Sequence, residues 1–321
     1  MIESPNESDP HPFIKKPHST LFTLSIPVLF SLIAEPLTGL VDTAFIARLG
    51  TEPLAALGVG TTVLSSIFWI FNFLAIGTQT EVAQATGRRD EDHAGRVNTL
   101  GLCLSLLFGV LIMITGIVLT EPITALLGAT NRVQDHADTY TQIRWYGAPA
   151  VLITLTAFGT LRGLQEMRIP LWIAVFINAL NIGLDSLLIF GYGPVPALGI
   201  SGAAIASVIS QWLGAIWAVA AVFKRPGIVR SIQIQDTFGL LRIGGDLFIR
   251  TGLLNLFFIL TTRAATRIGA ESGAAHQAIR QVWMFSTLVL DAYAITGQSL
   301  VAYFYSPERL HVAKRVASTV C

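Results

Sequence analysis

Three stretches of this chain, Leu54–Thr80, Thr99–Thr120 and Val195–Phe223, contain no charged residue. Each is long enough to cross the hydrocarbon of a bilayer, which takes about 20 mostly apolar residues in helical form. In lipid every backbone polar group must be satisfied within the protein, and a helix does this within one segment. The fold class that follows is an all-α integral membrane protein, a polytopic helical bundle. Composition agrees: 52% of residues are hydrophobic and 13% charged, with mean hydropathy +0.62, against about 25% charged residues in ordinary soluble domains. A net charge of +1 gives no footing for a nucleic-acid partner. The two cysteines, Cys103 inside an apolar span and Cys321 at the last position, support neither a disulfide framework nor a Cys metal site.

The spans read as helices cover 20–47, 54–80, 98–120, 140–161, 170–191, 197–223, 241–262 and 274–304, about eight in all. Residues 1–19 form a polar tail, and the helix after it runs past the length of a signal h-region without a cleavage site, so it is retained. Basic residues gather in alternate connections: Lys15 and Lys16; Arg88, Arg89 and Arg96; Arg162 and Arg168; Lys224, Arg225, Arg230 and Arg242; Arg309, Lys314 and Arg315. The opposite connections hold Arg48, Arg132, Arg144, Arg263, Arg267 and Arg280. The positive-inside rule then puts the N-terminus in the cytoplasm, and the setting expected is a plasma membrane of the bacterial inner-membrane type.

An internal repeat organises the chain further. Arg48–Ala56 matches Arg267–Ala275, an offset of 219 residues (267 minus 48), and Gln79 with Gln298 and Arg96-Val97 with Arg315-Val316 keep the same offset without a gap. The period holds six spans, an even number, so the second unit re-enters with the same orientation, as in transporters built from parallel repeats. The domains expected are a cytoplasmic tail (1–19), a first six-helix lobe (20–223), a cytoplasmic linker (224–240) and the first two helices of an incomplete second lobe (241–321).

Ionisable groups within a span are costly, roughly 2.5–3.5 kcal/mol at the helix centre on translocon scales, and by default mark function. In the first helix Glu35 and Asp42 share a face with Thr38 between them; in the fifth, Asn181 and Asp185 are four apart and share a face. A carboxylate in a low-dielectric cavity can exchange a proton near physiological pH, and the same oxygens of Asp42, Asn181 and Asp185 can bind sodium. The alternative is that these groups hold the bundle together by hydrogen bonds. Asp246 and Arg250, four apart, read first as a charge pair that cancels itself; Asp291 is either a chamber-lining acid or a group near the interface. The aromatics of Phe68–Phe73 read as packing. Pro27 and Pro36 fall inside the first helix, where each removes a backbone hydrogen bond, giving either a moving part or a static bend.

No Gly-x-x-x-x-Gly-Lys-Ser/Thr loop, His-Glu-x-x-His or Gly-x-Ser-x-Gly is present, so ATP hydrolysis by the P-loop route and these enzyme mechanisms lack their residues. His276 stands apart from any catalytic cluster. The chain reads as a non-enzyme without an organic cofactor and with no obligate protein partner evident, drawing its energy from an ion gradient or from the substrate's own.

Several segments together resemble the multidrug and toxic compound extrusion (MATE) family, in its DNA-damage-inducible-protein-F branch. They are Ser25-Ile-Pro27, Gly39-Leu-Val-Asp42-Thr-Ala, Leu161-Arg-Gly163, Asn181-Ile-Gly-Leu-Asp185, Gly202-Ala-Ala-Ile-Ala-Ser207, Asp246-Leu-Phe-Ile-Arg250 and Leu290-Asp291-Ala-Tyr-Ala. The resemblance implies twelve helices in two six-helix lobes around a central cavity, with proton or sodium influx driving export of small cationic or amphipathic compounds. It also implies a cation site in the first lobe at Asp42, Asp185, Asn181, Tyr140 and Ser207, the last replacing a threonine, and a bend of the first helix at Pro27 when the aspartate is protonated. Glu35 departs from the uncharged residue of relatives. Glu35, Thr38, Asp246, Arg250 and Asp291 are the cavity-lining candidates. A lipid-linked-precursor flippase of the same superfamily is the alternative; it would favour a cavity rich in Arg and Lys, whereas these spans bear mainly acids.

Overall fold

Proline and glycine punctuation sets many of the helix boundaries in the computed structural model, which describes residues 11–225, 270–306 and 309–320 together with positions 249, 252–254, 256–257, 260–261 and 264. The one-turn helix α1 (Pro12–Lys15) and the long α2 (Pro17–Ala47) each open on a proline, whose missing N–H is one that a helix start leaves unpaired anyway. α2 stays helical through Pro27 and Pro36. α3 (Thr51–Ile70) and α4 (Phe73–Gly87) make one span, interrupted where the bonding tightens, with Phe71 N–H donating to Phe68 at 3.1 Å and Asn72 N–H to Trp69 at 3.3 Å. α5 (Glu91–Leu126) is capped by Asp90, whose carboxylate accepts from the His93 N–H at 2.9 Å. Its 36 residues extend about 54 Å at 1.5 Å per residue, so its acidic first turn stands clear of a hydrocarbon layer about 30 Å thick.

The fourth span is α6 (Asn131–Trp145) and α7 (Ala148–Gly163), parted at Tyr146–Gly147 with Pro149 in the first turn of α7. α8 (Arg168–Phe190) and α9 (Ile200–Phe223) complete six spans, and α10 (Ala270–Phe304) and α11 (Leu310–Val320) follow. Among the described residues the only non-helical pairing is an isolated bridge between Tyr192 and Val195. Five segments there, α2, α3 with α4, α5, α8 and α9, are long and apolar enough to cross a membrane. Among the first six spans the fourth is the exception, because α6 is polar and α7 has only 16 residues.

The expected boundaries need three corrections. The tail expected over 1–19 is already helical from Pro12, because Phe13 is 1% exposed and packs against Phe304 and Leu21. The second and fourth spans are each two helices. The last span begins at Ala270 rather than 274. Asp246, Arg250, Cys321, most of the 224–240 linker and most of the 241–262 span lie outside the described residues.

α7 sits at the centre of the bundle, against α4, α5 and α9. Small residues let the backbones meet, as is usual where lipid supplies no hydrophobic drive between helices. At the crossing of α4 and α7, a Cβ on Gly159 would lie 2.4 Å from the Ala75 carbonyl oxygen, so Gly159→Ala is expected to cost about 1–3 kcal/mol of stability, read as a lowered unfolding midpoint. Leu107, Leu111 and Val118 of α5 and Ile216 of α9 are exposed on the outside of the bundle, where lipid would cover them. α10 packs on α2 and α4 through its second half: Ala292, Thr296, Ser299, Leu300 and Phe304 are buried, whereas Ile279, Val282, Trp283, Phe285 and Val289 are exposed.

Candidate cation site

The site forms where α2, α6, α8 and α9 approach one another near the ends opposite to Arg88, Arg162 and Lys224. α2 and α8 pack together, as do α8 and α9, and α6 and α9. Two turns of α8 place Asn181 and Asp185 on one buried face, 4% and 0% exposed. Across from them α2 presents Asp42, whose carboxyl is in hydrogen-bond contact with that of Asp185. The Asn181 amide bridges to α9: in the orientation its partners dictate, its NH2 donates to Asp42 Oδ1 at 3.3 Å and its oxygen accepts from the Ser207 hydroxyl at 3.3 Å. The remaining oxygen of this cluster, Asp185 Oδ1, is buried without a donor, which is costly for so strong an acceptor.

Tyr140 of α6 is 2% exposed, and its ring lies where a side chain at residue 60 of α3 would be, 2.5 Å from a Cβ built on Gly60. Its hydroxyl interacts with Arg144, one turn on, and stands within electrostatic reach of Asp42 and Asp185. Arg144 donates from Nη1 to Gln211 of α9 at 3.0 Å and faces Glu35, Asp42 and Asp185 electrostatically. Arg144, which by its sequence position counts among the charges of a connection, lies instead in the last turn of α6, beside the acids. The signal available was its i, i+4 spacing from Tyr140, which puts both on one helix face.

Thus the structure brings Asp42, Asp185, Asn181 and Ser207 into contact and sets Tyr140 beside them. Glu35 is exposed on α2, facing Arg144 but outside that contact. Thr38 is buried, and its hydroxyl donates to the Ala34 carbonyl at 3.1 Å. Pro27 is buried four turns before Asp42, away from the site and next to Val28, which packs on Ala292 of α10. Asp291 is exposed on α10. Among the described residues no three His, Cys, Asp or Glu side chains cluster as a metal cage. The oxygens that can face a hard cation are those of Asp42, Asn181, Asp185 and Ser207.

Residues 27–187, which include both aspartates and Asn181, match the MatE family. The chain belongs to it. MatE relatives include DETOXIFICATION 44 of Arabidopsis thaliana, a chloroplastic protein, 32% identical over 98% of this chain and 63% of its own length. DNA damage-inducible protein F of Escherichia coli is 32% identical over 91% of this chain and 65% of its own. Among solved structures, a MOP superfamily transporter from Pyrococcus furiosus superposes with a TM-score of 0.85 at 25% identity, over 95% of this chain and 69% of that one. A MATE in the bent conformation gives 0.87 at 24% identity. The chain thus spans just under two-thirds of the length of these curated MatE relatives, and it is an integral membrane protein of the MATE fold.

Proposed function

We propose that this chain supplies the ion-coupling lobe of a secondary antiporter that exports cationic or amphipathic toxic compounds, with protons as the coupling ion. The observation that carries this is the pairing of Asp42 of α2 with Asp185 of α8, with Asn181, one turn before Asp185, bonded to Asp42 Oδ1 at 3.3 Å. Two carboxyls can meet in this way when one proton lies between them. Sodium is less well served, because the Asn181 oxygen is already turned to the Ser207 hydroxyl. Proton entry from outside would join the two helices, α2 would adjust along its proline-interrupted length at Pro27, and the bound compound would leave; release of the proton inside would reset the site. Ion and substrate compete for the same acids in this scheme. The N-terminus would face the cytoplasm of a bacterial inner membrane, and no nucleic-acid or obligate protein partner takes part.

The test is efflux of a cationic dye from vesicles reconstituted with this chain, alone and extended to the length of its relatives, with a proton gradient and a sodium gradient imposed separately. Efflux driven by the proton gradient alone is the expected result. Efflux driven only by sodium would overturn the choice of ion. One observation favours a second reading: Arg144 presents a guanidinium to the site, as a flippase of phosphorylated lipid precursors would require. Absence of dye efflux under either gradient, with flipping of a pyrophosphate-linked lipid, would establish that reading instead.

A further inference from the structure

Hydrogen bonds between α4 and α10 repeat the symmetry of the sequence. Gln79 Nε2 donates to the backbone oxygen of Ile295 at 2.7 Å, and Gln298 Nε2 donates to the backbone oxygen of Ile76 at 3.1 Å. Gln298 is Gln79 displaced by 219 residues, and Ile295 is Ile76 displaced by the same amount (298 minus 79; 295 minus 76). Each glutamine therefore grips the other repeat at the position equivalent to the one by which its own repeat is gripped. A single polar contact between membrane helices is ordinary packing. Two that exchange under the repeat operation define a local two-fold axis running between the helices.

The surroundings make this a junction of several elements. Gln298 also donates to the Thr80 hydroxyl at 2.8 Å, and Ser299, the counterpart of Thr80, donates to the Arg162 carbonyl of α7 at 2.6 Å. Val28 of α2 and Met167 pack against Ala292 just beyond. A Cβ on Gly87 would overlap the Tyr303 backbone, so the two helices converge to backbone contact at this end. All of these contacts lie toward the end of the bundle marked by Arg88, Arg89, Arg162 and Arg168. On the other side of Ala292, α10 is exposed at Val289, Phe285 and Val282.

We infer that Gln79 and Gln298 are positioning residues for the transport cycle: a reciprocal latch that holds the two repeats together at the basic end of the bundle and parts when that end opens. This rests on the transport reading above. Side-chain donors suit the task, because a glutamine released from a foreign carbonyl can turn to water entering the opening cleft, while the carbonyls of Ile76 and Ile295 keep their helical partners.

The test uses the 321-residue chain with Cys103 and Cys321 changed to Ser and a reporter Ala292→Cys, alkylated by N-ethylmaleimide in vesicles. Gln79→Met with Gln298→Met, which keeps side-chain length and removes both donors, is expected to speed labelling about tenfold, and either single change about threefold, as suits bonds of modest strength between membrane helices. A second reporter, Ser210→Cys in the buried interior of the first lobe (0% exposed), is expected to label at an unchanged rate. Unchanged labelling at residue 292 in the folded double variant overturns the latch. So does equal acceleration at residues 292 and 210, which would make the glutamines general structural supports. Labelling needs no transport, so absence of dye efflux from the unaltered protein, with the residue-292 response intact, would overturn the transport reading and leave only a contact that holds the two repeats closed at this end.

Discussion

Asp42→Asn is expected to reduce proton-driven dye efflux to the level of protein-free vesicles, and Asp185→Asn to do the same. An asparagine fits either place, but its amide donates permanently where a proton would come and go, so the pair is fixed in its joined state. The two carboxyls act as one unit with a shared proton, and effects within such a unit do not add. The double variant should therefore be no worse than either single one. Folding gives the control. Replacing a buried acid that faces a second acid removes a desolvated charge, and sites strained for function commonly gain stability when simplified. The unfolding midpoint of Asp185→Asn is expected to hold or rise while efflux is lost. Gradient-driven efflux persisting in Asp42→Asn would remove the pair from the coupling mechanism.

The largest effect on folding is expected at Trp145. It is 0% exposed, its indole N–H donates to the Thr120 hydroxyl at 3.0 Å, and its ring occupies the space that a Cβ on Gly116 would enter, 2.4 Å away. These contacts fasten α6 to α5, and α6 carries Arg144 immediately before Trp145 and Tyr140 five residues before it. Trp145→Ala should cost about 3–5 kcal/mol, the range for emptying a buried aromatic site, measured as a fall in unfolding midpoint. Trp145→Phe keeps most of the packing and loses only the N–H donor. Thr120 still donates to the Gly116 carbonyl at 2.6 Å, so this change should cost no more than about 1.5 kcal/mol, that of one ordinary hydrogen bond. Equal losses for the two variants would mean that the hydrogen bond rather than the ring fastens the helices.

Much of this architecture was legible because lipid enforces simple rules. The charge-free runs marked the second, third and sixth spans, and the period of 219 residues anticipated that Gln79 and Gln298 occupy matching places. The breaks at Phe71–Asn72 and Tyr146–Gly147 were not read, because a hydropathy pattern averages over a turn and passes through a single irregular residue. Phe13 was lost in a polar tail, since its burial depends on Phe304, far away in sequence. Asp42, Asn181, Asp185 and Ser207 were named in advance, two on spacing and ionisable character and the others through family likeness. Arg144 was not, because a cation near the end of a polar helix looks like a loop charge until the fold sets three acids against it.

That same polar helix has a bearing on how the chain is retained in lipid. α7, at 16 residues, covers about 24 Å at 1.5 Å per residue, less than the roughly 30 Å of hydrocarbon, and α6 supplies the remainder with Asn, Asp, His, Gln and Arg side chains. Such a segment partitions poorly by itself. What holds it is its neighbours: α6 packs on α3, α5 and α9, and α7 on α4, α5 and α9. The face that carries Ala137, Tyr140, Thr141 and Trp145 is solvated by protein, while Asn131, Asp135 and Gln142 stay exposed.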